Sequence, residues 1–283
     1  MTLSGTELVR SSLAGTPITD VPARHARSWL LVSALDLDEA ARAHDSAADA
    51  LVIDLEDAVP DREKRHARAA TIEWLARRPA WVRVNDATSE HWAEDLAALR
   101  ASPGVLGVML AKVESALHVG ETAAALPAGT RIVALIESAR GIRSVYEIAE
   151  HPGTFRLAFG SGDFRRDTGI ADDPLGLAYA RSQLVIASAV AGIAGPIDGP
   201  ALDDAALVDA ALHARGMGMT GKLSLRLEQV GAINDALSPS ADEIEWAREL
   251  LARPADGSFD GSYLPALARA RGLLKLATAF GLD

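Results

Sequence analysis

Short apolar runs rich in β-branched residues alternate with helix-like segments along most of the chain, and this alternation restricts the fold more than any other sequence feature. Continuous apolar runs of this kind are typical of strands buried on both faces, as in a parallel sheet covered by helices. The predicted strands are Ser28–Ser33, Ala50–Asp54, Ala80–Val84, Val105–Leu110, Arg131–Ile136, Arg156–Phe159, Pro196–Asp198 and Gly221–Leu225. Eight strand–helix units in strict alternation predict a (β/α)8 TIM barrel rather than an open doubly wound sheet.

The same pattern divides the chain into three regions. Residues 1–26 are polar and form a predicted N-terminal arm, residues 27–235 form the barrel, and residues 236–283 form a helical extension. We expect this extension to serve as a lid or an oligomerisation arm. The main predicted helices are Leu37–Ala47, Pro60–Arg77, Ser89–Leu99, Glu114–Ala125, Pro174–Ala194, Asp203–Arg215 and Ala241–Ala252, with a last helix from Leu264.

Composition excludes several classes of function. The formal net charge of −11 argues against nucleic acid and anionic membranes as partners. No apolar run approaches the roughly 20 residues that span a bilayer, and no signal-peptide pattern is evident, so we expect a cytoplasmic protein. The absence of cysteine excludes disulfides, thiolate nucleophiles and cysteine-ligated metal centres.

Polar residues collect where the predicted strands end. In (β/α)8 barrels the active site lies at the carboxyl ends of the strands, so this position is itself an indication of function. The polar residues at these ends are Asp54, Glu56, Asp57, Arg83, Asn85, Lys112, Glu137 and Asp163. Most of them are acids, which would repel an anionic substrate unless a divalent cation neutralised part of their charge.

Glu137 and Asp163 are the predicted metal ligands. They follow consecutive strands, and adjacent parallel strands lie roughly 4.8 Å apart, so both carboxylates could reach one cation. Oxygen-only ligands suit Mg²⁺, which usually takes one or two protein carboxylates and leaves its other positions to water and substrate. Two simpler interpretations stay open: Glu137 could cap the helix that begins at Ser138, and Asp163 could be an ordinary turn residue.

Arg83 is the predicted clamp for a substrate carboxylate, since a strand arginine needs a partner and can bind a carboxylate with two parallel hydrogen bonds. Glu56 or Asp57 is expected to steer a water at the metal as the general base, although both could belong to a solvated loop. Gly160 and Gly162 would let backbone N–H groups approach an anion, or would simply form a tight turn.

Four stretches of the sequence form a joint pattern: A-L-V-I-D-L-E-D-A-V-P (50–60), V-R-V-N (82–85), A-L-I-E-S-A-R-G-I (134–142) and A-F-G-S-G-D-F (158–164). Together they resemble the citrate lyase β-subunit-like branch of the HpcH/HpaI aldolase family. Each motif is short, but their joint order and spacing are specific.

The resemblance implies a Mg²⁺-dependent carbon–carbon lyase on a modified (β/α)8 barrel, assembled as a homotrimer or hexamer. By position, Glu137 and Asp163 match the family's metal ligands, and Arg83 matches its substrate-carboxylate arginine. Lys112 is expected to contact substrate. The backbone of Ser161, Gly162 and Asp163 resembles the family's second binding element for a carboxylate, besides the arginine. These three are therefore predicted substrate-binding residues.

The chain departs from the family pattern at several strand ends and in the tail. Ser33–Ala34 replaces Pro-Gly, Ala111 replaces the proline before Lys112, and Leu225–Arg226–Leu227 replaces Ile-His-Pro. The tail reads D-G-S-Y-L-P (260–265) and lacks the second aspartate that acts as acid/base in members using CoA thioesters. The expected substrate is therefore a 2-oxo or 2-hydroxy carboxylate, with a malyl- or citramalyl-type CoA thioester as the family default. A free-acid aldolase and a non-catalytic metal- and dicarboxylate-binding barrel are the alternatives.

Overall fold

Eight parallel strands close into a barrel in chain order, as the alternation predicts. The structure is a computed structural model, and it describes residues 21–253 and 261–282. The strands are β1 (Ser28–Ser33), β2 (Ala50–Asp54), β3 (Ala80–Val84), β4 (Val105–Leu110), β5 (Ile132–Ile136), β6 (Thr154–Phe159), β7 (Ala194–Asp198) and β8 (Gly221–Ser224). Pairing of β8 with β1 closes the sheet, which confirms the (β/α)8 fold.

Helices surround the barrel and follow the predicted order with shifted ends. They are α1 (Leu37–His44), α2 (Lys64–Leu75), α3 (Glu90–Leu99), α4 (Ala116–Ala125), α5 (Ala139–Arg143), α6 (Val145–Glu150), α7 (Ser161–Thr168), α8 (Pro174–Val190), α9 (Leu207–Gly216), α10 (Val230–Leu237), α11 (Ala241–Ala252) and α12 (Tyr263–Ala279). The prediction of a helix from Pro60 was wrong at its start, because Asp61–Glu63 forms a 3-10 turn before α2. The predicted start at Asp203 was also too early, because α9 begins at Leu207.

Two apolar layers hold the barrel together. One lies between the strands and the outer helices, and the other fills the barrel interior. Inside the barrel, Trp29 and Trp81 meet edge to face with ring centroids 4.9 Å apart. The fully buried Arg156 lies with these tryptophans at the amino-terminal end of the barrel. It donates to the carbonyl oxygens of Ala26 and Gly195, at 2.9 and 2.7 Å. The amino-terminal end of the barrel is therefore filled, and the opposite end is left for a site.

The C-terminal extension contains a helical hairpin. Helices α11 and α12 pack against each other through small and aliphatic side chains, among them Ala247, Leu250 and Ala270. Ser240 begins α11 with a capping box: its hydroxyl accepts from Glu243 N, and the Glu243 carboxylate accepts from Ser240 N. Within the described residues, no helix combines the length and the apolar character that a membrane span requires.

Candidate active site

A cleft of about 540 Å³ opens at the carboxyl end of the barrel. Most of the residues predicted from the strand ends line it, together with several leucines. The lining residues are Leu31, Ser33, Asp54, Asp57, Ala58, Arg83, Leu135, Glu137, Gly160, Ser161, Gly162, Asp163, Pro200, Leu202, Leu223 and Leu225. Glu56 and Lys112 lie just outside this lining but contact residues within it.

Glu137 follows β5 and is buried in the floor of the cleft. Its Oε1 accepts a 2.7 Å hydrogen bond from Lys112 N, and its Oε2 packs so closely on Gly160 that a β-carbon there would lie 2.3 Å away. Burial, with the nearby Glu56 charge, raises the pKa of Glu137 to about 8. Glu137 does not cap the following helix, because Ser138 does so by accepting from Gly141 N. The cap interpretation of Glu137 was therefore wrong.

Asp163 lies in the first turn of α7, directly after β6. Its Oδ2 is buried and accepts no well-directed hydrogen bond, although Arg166 Nη2 lies 3.1 Å away. We regard the oxygen as unsatisfied, since the Arg166 side chain is largely exposed and such pairs are weak. The backbone N–H groups of Ser161, Gly162 and Asp163 open the helix, so they have no acceptor within it, and the positive helix end favours an anion.

Arg83 reaches the cleft from β3 and is held from behind by Asp54. Arg83 Nε and Nη2 donate to the two Asp54 oxygens at 2.7 and 2.6 Å, and Nη1 lies 3.0 Å from Glu56 Oε2. Burial opposes the charge, but the two carboxylates keep the pKa of Arg83 above its ordinary value. Arg83 thus uses Nε and Nη2 to bind Asp54 with two hydrogen bonds. A substrate carboxylate could bind only to the N–H groups of Arg83 that these contacts leave free.

Lys112 connects Glu137 with the acidic pair Glu56 and Asp57. Its backbone N–H holds Glu137, while its ammonium pairs with Glu56 and lies 3.2 Å from Asp57 Oδ1. Burial raises the pKa of Glu56, and Arg83 and Lys112 oppose the rise. A direct contact of Lys112 with substrate stays a prediction, as do the catalytic roles of Glu56 and Asp57. Of the two acids, Asp57 lines the cleft and is partly exposed, whereas Glu56 is enclosed by its cations.

Sequence reasoning missed Lys64 and Asp95, which together with the predicted Asn85 support the acidic loop from below. The buried Lys64 ammonium donates to the carbonyl oxygens of Leu55 and Glu56 and to Asn85 Oδ1, all within 2.8 Å. Asn85 in turn donates to the buried Asp95. Lys64 occurs in a charged amphipathic helix and Asp95 in another, where both look like surface residues, so nothing in the pattern of charges marked them.

A second buried charge cluster stands under the β7 end. Asp198 accepts from Arg181 Nε and from Lys222 Nζ, both at 2.8 Å, and Lys222 also donates to Gly199 O. A β-carbon on Gly199 would lie 2.2 Å from Ser161 Oγ, so the β7 end packs directly on the start of α7. The cluster therefore fixes the wall against which Ser161 lies.

The family follows from the extent of the sequence match. The sequence model of the HpcH/HpaI aldolase/citrate lyase family matches residues 27–226, the whole barrel through β8. The chain belongs to the HpcH/HpaI aldolase/citrate lyase family. The model of the HpcH/HpaI aldolase C-terminal domain matches residues 242–281, so the family pattern extends to the helical hairpin.

Curated relatives place the chain in the citrate lyase β-like branch of this family. A citrate lyase subunit beta-like protein of Deinococcus radiodurans is 32% identical over 90% of this chain and 98% of its own length. A (3S)-malyl-CoA thioesterase of Cereibacter sphaeroides is 33% identical over 75% of this chain and 76% of its own length.

Solved structures of two bacterial proteins share the fold. CitE from Mycobacterium tuberculosis, solved in complex with magnesium, acetoacetate and coenzyme A, is 28% identical, with a TM-score of 0.74 over 90% of this chain and 99% of that one. RipC from Yersinia pestis is 33% identical, with a TM-score of 0.69 over 79% of this chain and 100% of that one. The M. tuberculosis protein was also solved with magnesium and pyruvate.

Proposed function

We propose that this protein is a Mg²⁺-dependent lyase that cleaves or forms a carbon–carbon bond beside a 2-oxo or 2-hydroxy carboxylate. One observation carries the proposal: Glu137 and the unsatisfied Asp163 Oδ2 share a cleft with Arg83 and the amino-terminal turn of α7. The cleft thus offers two carboxyl groups as oxygen donors for a cation, and two groups of N–H donors for an anion. A metal-chelating carboxylate substrate needs both.

The donors fit Mg²⁺ rather than a softer metal. Glu137 and Asp163 supply only carboxylate oxygens, which suit an ion that keeps several positions for water and substrate. Burial and the nearby Glu56 charge, which raise the pKa of Glu137, leave its negative charge poorly compensated by the protein alone. When bound, Mg²⁺ would stabilise negative charge that develops on the substrate oxygen next to the carboxylate.

The remaining residues bind and orient the substrate. Arg83, fixed by Asp54, donates to the substrate carboxylate, and the N–H groups of Ser161 and Gly162 donate to the same anion from the other side. In the cleavage direction a base takes the hydroxyl proton, the carbon–carbon bond breaks to leave a 2-oxo acid, and the released enolate takes up a proton at carbon. We assign the first proton transfer to a water steered by Asp57, because of the two acids Glu56 and Asp57 it is the one that lines the cleft.

A malyl-type CoA thioester is the substrate that one relative's name supports, and a citramalyl-type thioester is the other family default, but turnover is expected to be slow. The tail acid/base of the family is missing from 260–265, and Asp260, the acid in that segment, lies outside the described residues. A positioned acid or base typically contributes about 10²–10⁴-fold. Hydrolysis of the thioester is the second candidate, because one relative is a (3S)-malyl-CoA thioesterase.

Product analysis separates the two reactions. Malyl-CoA and citramalyl-CoA are incubated with the protein, with and without Mg²⁺, and all products are quantified. A lyase gives equal amounts of acetyl-CoA and glyoxylate or pyruvate, whereas a thioesterase gives free CoA and the hydroxy diacid. We expect the wild-type protein to form the lyase products only in the presence of Mg²⁺. We expect Glu137→Gln to form no lyase products with or without Mg²⁺. Free CoA without any 2-oxo acid would reject the lyase assignment.

A further inference from the structure

The mouth of the cleft is divided into a polar arc and an apolar arc. Because the strands close in chain order, the ends of β2 to β6 form one continuous arc, and the ends of β7, β8 and β1 complete the ring. The charged cleft residues Asp54, Asp57, Arg83, Glu137 and Asp163 all belong to the polar arc. The β7–β8–β1 arc contributes Pro200, Leu202, Leu223, Leu225 and Leu31, with Ser33 at its edge.

The hydroxyl groups of the apolar arc are already occupied by the protein, and the Arg226 guanidinium next to Leu225 pairs with Asp204 and donates to Leu202 O at 3.1 Å. Ser33 Oγ donates to Ala58 O at 3.0 Å, and Ser224 Oγ donates to Arg226 O at 2.8 Å. The buried charges of Asp198 and Lys222 pair with each other below. The polar arc, by contrast, keeps the unsatisfied Asp163 Oδ2. A ligand would therefore find hydrogen-bonding and charged groups on one side and mainly leucine side chains on the other.

Two of these leucines are strongly exposed. Leu225 is 50% exposed and Leu202 is 65% exposed, and both lie on the rim of the same cleft beside the buried Leu31 and Leu223. A single exposed leucine is ordinary on a protein surface, but several that line one concave site are typical of a surface that a ligand covers.

We propose that the apolar arc binds an alkyl group on the carbon next to the substrate carboxylate, so that the preferred 2-oxo acid is an alkyl 2-oxo acid rather than a dicarboxylic one. The inference rests on the proposed function, because the polar arc must hold the carboxylate and the cation. A second carboxylate would lose its hydration against the leucines, and the nearby Arg226 guanidinium already pairs with Asp204. The pantetheine arm of CoA fits this arc less well, because its two amides would lie against leucines and would find no free side-chain partner among the arc's cleft-lining residues.

The test is a binding series measured by calorimetry in the presence of Mg²⁺. The ligands are glyoxylate, pyruvate, 2-oxobutyrate, 2-oxopentanoate and 4-methyl-2-oxopentanoate, with oxaloacetate as the charged competitor. Burial of one methylene is worth about 0.8 kcal/mol, which is about fourfold in affinity, so we expect roughly two- to fourfold tighter binding per added carbon. We expect oxaloacetate to bind more weakly than 2-oxobutyrate.

Matched variants locate the effect. Leu225→Ser should weaken binding of 2-oxopentanoate by roughly tenfold and of glyoxylate by less than about twofold. Leu212→Ser is the control, because Leu212 is 46% exposed on α9 and does not line the cleft.

Each result supports or overturns the inference. Affinity that does not change with chain length, or oxaloacetate that binds most tightly, would overturn the alkyl preference and leave the lyase proposal standing. If no 2-oxo acid binds in a Mg²⁺-dependent way, the lyase proposal fails and the inference fails with it. Equal losses in Leu225→Ser and Leu212→Ser would also overturn it.

Discussion

At the scale of single residues, Lys112 has an unusual backbone. Its φ of 49° is positive, which no other non-glycine residue within 21–253 and 261–282 shows. On either side the strand pairing continues: Ala111 N donates to Val84 O, and Val113 N to Leu135 O. The left-handed turn at Lys112 therefore directs one N–H out of the sheet toward Glu137. Strain of this kind persists where the surrounding structure enforces it, often at functional sites.

A comparison of Lys112→Gly with Lys112→Ala tests this strain. Both variants lose the ammonium, but only glycine adopts a positive φ without steric cost. Left-handed geometry costs other residues roughly 1–2 kcal/mol, and the greater freedom of glycine in the unfolded chain offsets part of this. We expect Lys112→Gly to be about 0.5–1 kcal/mol more stable in urea unfolding. An alanine variant that is equally stable would show that the turn is not enforced.

Arg83→Lys should weaken binding of a 2-oxo acid by roughly 1.5–3 kcal/mol, the scale of a hydrogen bond to a charged group. Lysine keeps the charge but cannot hold Asp54 with two bonds and still reach the substrate. Arg27→Lys is a matched control, since Arg27 forms the same two-bond contact with Asp49, and neither lines the cleft. If the two variants change the 2-oxo acid dissociation constant equally, the clamp role of Arg83 is wrong.

At the scale of elements, β7 was the hardest strand to predict. The sequence A-V-A-G-I-A-G (189–195) is apolar throughout, so the preceding helix was extended to Ala194. The structure ends α8 at Val190, with Gly192 at a φ of 66°, and begins β7 at Ala194. The glycine after a helix end was the available signal. The strand ends that are followed by charged residues were predicted well, because a strand buried on both faces cannot continue into a charged segment.

The side-chain pairings of the site were less predictable than its location. Asp54 and Arg83 were both placed at adjacent strand ends, but their contact depends on the register that pairs them. The contacts of Lys64 and of the Asp198 cluster join elements that meet only when the barrel has closed. Sequence patterns thus indicate which end of the barrel is functional, while the choice of partner for each charge requires the three-dimensional structure.

The Asp198 cluster should be important for stability. Asp198→Asn would leave the buried Lys222 and the mostly buried Arg181 facing a neutral amide, and loss of one partner from a buried ion pair costs about 3–5 kcal/mol. We expect a decrease of that size in the free energy of unfolding. Asp172→Asn, which removes a largely exposed partner of Arg165, should change stability by only about 0–1 kcal/mol. Similar values for both variants would refute this account of the cluster.

At the scale of the whole molecule, the metal-free protein should be less stable at alkaline pH. The pKa of Glu137 is raised from 4.5 to about 8 in the folded state, so its contribution is complete below pH 4.5 and is lost as the pH rises through about 8. Between about pH 6 and about pH 8.5, wild type in EDTA should lose more stability than Glu137→Gln, measured by urea unfolding. Parallel curves would show that Glu137 is ionised at both pH values.

The central claim is that Glu137 and Asp163 together hold the catalytic cation. Calorimetric titration of the EDTA-treated and dialysed protein with Mg²⁺ tests it most directly, because it requires no knowledge of the substrate. Wild type and Asp172→Asn should bind one Mg²⁺ per chain with the same affinity. Glu137→Gln and Asp163→Asn should each bind at least about tenfold more weakly, a loss of 1.4 kcal/mol or more, with unchanged folding. Wild-type Mg²⁺ affinity in either variant would contradict the site.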